Sequence, residues 1–312
     1  MLLSGEGTSV PASEAKALFL AADPLSTFVT PEPRVLIADS EGDPLAVGGR
    51  IAFARRVGYL LQSPSDASGL LVGHRVRFRS FDLSLRKSQP DPGEYLEGID
   101  AAVDLVDPEY ELTLVRGKRD YLALTAPTHM LQGWSRRRPR SRPFFHPSAI
   151  FPKLSRALVN MSRCKQGDVF LEPFAGTGSI AIEASLVGAE VVAIDIANEM
   201  VQGASSNMRH YAQDWLGVVR ADSARLPVRG VRAVATDIPY GRASSTRGRP
   251  PELMLEILFP ELARAMDRGS FLVLMHPKGL AVGPTSDFAI EEEHYLQVHK
   301  FLTRTITVLK RR

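Results

Sequence analysis

The sequence predicts an α/β protein, with a mainly parallel, doubly wound sheet in its second half and a smaller α+β region before it. Three observations carry this. Short apolar, strand-like runs at 169–171, 190–194, 216–220, 231–235 and 271–275 alternate with helix-period segments at 180–186, 197–211 and 250–266, the order that lays helices over a parallel sheet. The first strand and helix are joined by a glycine turn, Pro173-Phe174-Ala175-Gly176-Thr177-Gly178. Acids stand at the carboxyl ends of three strands, Asp195, Asp222 and Asp237, where ligands of open α/β sheets bind.

In chain order, 15–22 reads as helix, 35–38 as strand, and 51–61 as a helix with Arg55 and Arg56 outside. Residues 74–79 alternate strictly, so Val76 and Phe78 face a core while Arg75, Arg77 and Arg79 line the other face. That face is either a phosphate surface or a solvated strand edge. A helix over 98–107 and a strand over 111–116 complete an α+β region, 1–125.

The next segment concentrates the charge. No Asp or Glu lies between Asp120 and Asp168, and nine Arg and Lys residues give that interval +9; the whole chain is only +3, so the remainder is −6. Charge concentrated in this way suits an anionic polymer. Arg136, Arg137, Arg138, Arg140 and Arg142 are therefore RNA-contact candidates within a linker over 126–147, which Pro139 and Pro143 keep from becoming a helix. Trp134, Phe144, Phe145 and His146 either stack on bases or pin the linker to the second domain, 148–312.

Composition excludes several classes. With 44% hydrophobic and 23% charged residues the chain is not disordered. One cysteine rules out an internal disulfide framework, and seven scattered histidines offer no metal-ligand spacing. Short apolar runs and the lack of a basic, long-cored leader predict a soluble, cytoplasmic protein without a metal, and a monomer.

A helix from 150, with Leu154, Leu158 and Met161 on one side, leads into the glycine turn. Gly176 and Gly178 let a ligand approach the main chain. Gly176-x-Gly178-x-x-Ala181 also fits a dinucleotide fingerprint, with Asp195 placed for ribose hydroxyls. The second motif, Asp237-Ile238-Pro239-Tyr240-Gly241, suits a planar base bearing an amino group: carboxylate and main-chain carbonyls accept its N–H bonds, and Tyr240 stacks. Pro250 begins the next helix, and 294–309 forms a closing antiparallel pair.

The glycine turn followed by D-x-P-Y resembles class I S-adenosylmethionine-dependent methyltransferases acting on exocyclic amines of bases, which carry [DNS]-P-P-[YFW]. Read with the arginine cluster and Arg142-Pro143-Phe144-Phe145-His146-Pro147, the chain is similar to the archaeal tRNA guanosine-10 N2-methyltransferases. The resemblance is strongest from Arg136 to Arg249. It implies a Rossmann-like methyltransferase domain, and a THUMP-containing N-terminal region that engages the acceptor end of tRNA. Glu172, Pro173, Phe174, Gly176, Gly178, Asp195, Ile196, Asp222, Ser223 and Asp237 are then the S-adenosylmethionine residues, and Asp237, Pro239 and Tyr240 the catalytic ones. Asp222 would accept from the adenine amine, or else simply cap the next turn. The family commonly has D-P-F-C-G-T-G and D-P-P-Y-G, where this chain has Glu172, Ala175 and Ile238. The expected reaction is methylation of a tRNA guanosine at N2, at position 10. Alternatives are another RNA amine (ribosomal guanine N2 or adenine N6), a catalytically silent tRNA-binding protein, and, more remotely, a nicotinamide dehydrogenase.

Overall fold

A computed structural model describes residues 1–5, 8–83, 90–127, 133–211, 215–239, 249–299 and 302–312. The chain groups into two compact units, one of residues 1–6 and 22–132, the other of residues 7–21 and 133–312. It begins with β1 (Leu2–Leu3) and then α1 (Val10–Ala22), and all of α1 but its last residue belongs to the second unit.

The first unit continues with β2 (Thr27–Glu32), β3 (Val35–Asp39), α2 (Pro44–Arg50), β4 (Ala54–Arg56), β5 (Gly58–Leu61), α3 (Ser68–Leu71), β6 (Arg75–Asp82), α4 (Pro92–Leu96), β7 (Ala102–Val103), β8 (Tyr110–Arg116) and β9 (Asp120–Thr125). Its strands make a four-stranded sheet, β2-β3-β1-β4, and a five-stranded sheet, β5-β9-β8-β6-β7. Two expectations are corrected here. Residues 51–61, expected as a helix, contain β4 and β5, and of the two arginines only Arg55 is exposed. Alternation turns Arg56 inward, where its Nε donates to Glu111 Oε2 at 2.8 Å. Gly58 pairs with Thr125 across β9, so closely that a Cβ there would meet the Leu124 carbonyl. The helix expected over 98–107 lies one turn upstream as α4; Gly98, at φ +77°, follows its end, and Asp104 caps a turn by accepting from the Val106 and Asp107 N–H groups.

The second unit contains α5 (Pro152–Met161), β10 (Val169–Glu172), α6 (Ser179–Ser185), β11 (Glu190–Asp195), α7 (Asn198–Tyr211), β12 (Gly217–Arg220), β13 (Val231–Asp237), α8 (Pro251–Ala265), β14 (Met266–Pro277), β15 (Phe288–His299) and β16 (Leu302–Arg311). These strands form one sheet, β12-β11-β10-β13-β14-β16-β15. The first five are mutually parallel, and β16 runs antiparallel between β14 and β15. This is the doubly wound sheet and closing pair that the apolar pattern predicts. Strand order reverses between β10 and β13, which opens a crevice at their carboxyl ends. Under α8 the core contains Leu171, Ile194, Val234, Leu258, Leu262, Leu272 and Phe288, all almost fully buried. Each such side chain contributes about 1.5–3 kcal/mol of transfer free energy.

Residues 133–147 pack into this unit as part of its structure. Glu183, fully buried on α6, accepts from Arg137 (Nε to Oε1, 2.7 Å) and from Arg156 (Nη2 to Oε2, 2.9 Å). The Phe144 main chain exchanges hydrogen bonds with the Asn207 side chain, N–H to Oδ1 at 2.9 Å and Nδ2 to the carbonyl at 3.0 Å. Its ring lies on Gly203 of α7, where any Cβ would strike it. At the start of the chain, Ser13 donates to Glu292 Oε2 (2.5 Å), and Asn160 Nδ2 donates to Glu14 (2.6 Å). No helix among the described residues is long and apolar enough to cross a membrane.

Candidate active site

At the carboxyl ends of β10, β11 and β13 lies a cavity of about 290 Å³. Its floor is the glycine turn. Gly176 (φ +50°) and Gly178 (φ +76°) adopt left-handed backbone that other residues rarely tolerate. The Gly176 N–H donates to Asp195 Oδ2 at 2.9 Å, and the Ala197 N–H to Oδ1 at 2.8 Å, so the turn and the acid at the tip of β11 fix each other. Glu172, 2% exposed, accepts from the Ala181 N–H at 2.7 Å and so caps the helix after the turn. Burial holds its carboxyl well above the usual range, with Asp195 adding to the rise against the Ala181 N–H and Arg142.

Glu172, Phe174, Gly176, Asp195, Ile196, Asp222, Ser223, Asp237 and Pro239 all line this cavity. Pro173 and Gly178 are buried beneath it and shape the turn. Tyr240 lies outside the described residues. Sequence reasoning missed Arg249, Met200, Arg304 and the stretch 148–150, which also line it. Arg249 forms a bidentate pair with Asp222, both bonds at 3.0 Å. Arg304 Nη1, from β16, donates to Asp237 Oδ2 at 2.6 Å. Only the 67-residue jump back through the antiparallel strand brings these two together, and no local pattern marks it. The other oxygen, Oδ1, is buried without a hydrogen bond among the described residues. Burial raises the Asp237 carboxyl from 3.8 to about 6, against the pull of Arg304.

Ile238 also has a structural account. Its N–H donates to the Met275 carbonyl at 2.8 Å and its side chain is fully buried in the core. A proline here could not extend the β13–β14 ladder. Ile238→Pro, although it restores two consecutive prolines, is expected to cost about 1–3 kcal/mol by orphaning a buried acceptor. A thermal melt checks this, and an unchanged Tm would assign the bond no weight.

The basic residues divide. Arg137 and Arg142, expected on an RNA surface, are placed differently: Arg137 is spent on Glu183, and Arg142 donates to Ser179 Oγ (2.5 Å) and to the Arg137 and Ile150 carbonyls. Arg136, Arg138 and Arg140 are exposed. In the first unit, Arg77 is mostly buried against Glu111, while Arg75 and Arg79 remain about half exposed. Phe144 pins the segment to α7, whereas Phe145 is 45% exposed beside Arg140.

The family model described as RMKL-like, methyltransferase domain matches residues 139–305, more than half of the chain. The chain belongs to this family. This methyltransferase is 37% identical over 193 residues to the tRNA (guanine(10)-N2)-dimethyltransferase of Methanothermobacter thermautotrophicus, covering 61% of the chain and 56% of that enzyme. To the enzyme of the same name from Methanocaldococcus jannaschii it is 32% identical over 260 residues, covering 80% of the chain and 72% of that enzyme. The chain is a member of the family these archaeal enzymes represent, although it spans little more than half the length of the first. Among solved structures, TrmN from Thermus thermophilus has the same fold, with a TM-score of 0.53 at 17% identity over 99% of this chain and 98% of that one.

The resemblance to class I methyltransferases implies S-adenosylmethionine as the cofactor. The cavity fits that molecule on its own chemistry. Carboxylates at the ends of β11 and β12 suit hydroxyl and amine donors, and a glycine turn permits close approach. A third acid, Asp237, lines the same cavity and has one oxygen without a hydrogen bond among the described residues.

Proposed function

We propose that this methyltransferase modifies the exocyclic N2 of guanosine in tRNA, at position 10, adding one or two methyl groups. The observation that carries the reading is Asp237: a mostly buried carboxylate at the end of β13, one oxygen held by Arg304 and the other without a hydrogen bond among the described residues. The archaeal relatives named for guanine-10 N2 dimethylation support the choice of amine.

The N2 lone pair of guanine is delocalised into the ring, so the amine reacts only when held and turned. Asp237 accepts one N–H, main-chain carbonyls at Ile238 or Pro239 accept the other, and Tyr240 stacks on the base. The guanosine leaves its helix to reach this depth. S-adenosylmethionine supplies a methyl group already activated on a positive sulfur; the chain supplies alignment. Asp195 and Ile196 hold the ribose edge and Asp222 and Ser223 the adenine edge, while Glu172, Pro173, Phe174, Gly176 and Gly178 form the turn beneath. Arg136, Arg138 and Arg140 meet tRNA phosphates. So do Arg75 and Arg79, on an N-terminal THUMP-containing region that binds tRNA. A cytoplasmic place of action follows from that substrate.

Incubating the chain with labelled S-adenosylmethionine and an unmodified tRNA transcript, then mapping the labelled nucleoside, tests the reading. N2-methylated guanosine at position 10, absent from a transcript with adenosine there, is the expected result. Label in N6-methyladenosine, or at another guanosine, would overturn it.

A further inference from the structure

Arg304 is separated from Asp237 by the whole of β14. Strand β16 lies on the far side of β14 from β13, and Arg304 is in register with Pro277 at the end of that strand. Its guanidinium nevertheless reaches back across Met275, with Nη1 at 3.7 Å from the sulfur, to bond Asp237 at 2.6 Å. Both side chains are less than one-fifth exposed. An arginine that only fastened a strand could have been paired at the surface; this one ends inside the cavity.

We infer that Arg304 is the positioning residue of the amine site: its charge balances the Asp237 carboxylate and occupies Oδ2, leaving Oδ1, without a hydrogen bond among the described residues, as the oxygen available to the amine. The inference rests on the reading that Asp237 receives the substrate nitrogen. Among the described residues that line the cavity, no other charged group substitutes for it. Glu172, Asp195 and Asp222 are acids, and Arg249 is committed to Asp222. His276, on the intervening β14, turns its Nε2 to Thr307 Oγ1 at 3.0 Å. Removing the Arg304 charge therefore leaves burial unopposed. The carboxylate becomes harder to ionise, and the form able to accept an N–H appears only at higher pH.

The test compares the full chain with Arg304→Gln and Arg304→Lys in two measurements: the Asp237 titration followed by ¹³C NMR of labelled Asp carboxyls, and the pH dependence of methyl transfer to the tRNA transcript. Binding of S-adenosylhomocysteine verifies that each variant is folded. In Arg304→Gln both the titration and the acidic limb of the rate profile should move up by about one unit or more. Transfer near pH 6.5 should then fall about threefold or more while near pH 9 it largely recovers. Arg304→Lys should return both toward the parent. An unmoved Asp237 titration would overturn the role of Arg304 whatever the reaction is. A moved titration with an unmoved rate limb would instead show that transfer does not use Asp237, and would overturn the reading beneath. Should Arg304→Gln fail to bind the cofactor analogue, Arg304→Lys decides: a uniform loss at all pH values, with the Asp237 titration unmoved, makes the arginine structural and overturns the proposal.

Discussion

Asp237→Asn should melt at a higher temperature than the parent at neutral pH and transfer almost no methyl groups. The carboxyl titrates at about 6 in the folded protein, raised from 3.8 by burial and only partly held down by Arg304. An acid whose folded pKa is raised opposes folding once ionised. The penalty is absent below about pH 4, grows as pH rises toward 6, and is complete above it, where two pKa units amount to about 3 kcal/mol. Asparagine keeps the shape of the protonated acid and removes that penalty, so the gain should be present at pH 7–8 and vanish near pH 4. Activity moves the other way. Arg304 would hold the amide oxygen and turn the nitrogen toward the amine, so although the related motif also occurs with Asn, a donor facing a donor should here cost on the order of 10³-fold in rate. Thermal melts at both pH values and a transfer assay check the two arms. A lower Tm at pH 7, or retained transfer, would contradict the assignment of Asp237 as a strained, working carboxylate.

Glu183→Ala is expected to be among the most destabilising single changes in the second unit. The residue touches no part of the cavity, yet its two oxygens hold Arg137 and Arg156, whose side chains are 13% and 6% exposed. Removing it strands two guanidinium groups in a poorly solvated place, a loss of about 3–5 kcal/mol. Denaturant unfolding should register that loss, and limited proteolysis should find the main chain at 133–147 newly accessible, since Arg137 anchors it. Stability within about 0.5 kcal/mol of the parent would mean the arginines find water at little cost and the cluster is peripheral.

What was legible in the sequence was whatever is encoded locally. The apolar alternation, the glycine turn and the acids at strand ends marked the alternating strands and helices of a mainly parallel sheet, and with it much of the cavity lining. What was hidden depends on partners far along the chain. Arg304 carries no local mark, because only an antiparallel strand 67 residues on gives it a carboxylate to meet. The arginine cluster read as uniform because its divider, Glu183, lies 46 residues from Arg137. Residues 51–61 read as a helix because two adjacent arginines look equally exposed. Only the buried Glu111, 55 residues away, explains why one of them turns inward. Phe144 and Phe145 likewise separate only once Gly203 offers one of them a surface.

The position of α1 bears on the order of events during synthesis. This helix is synthesised well before the sheet it joins, and its hydrogen bond from Ser13 awaits Glu292, 279 residues later. At about 5–20 residues per second that is an interval of roughly 14–56 s. In that time residues 22–132 can be completed, whereas the sheet that receives α1 cannot. The nascent chain therefore carries this helix past a whole unit before either partner exists: Asn160, which Glu14 meets in the interior, comes first, and Glu292 closes the contact last.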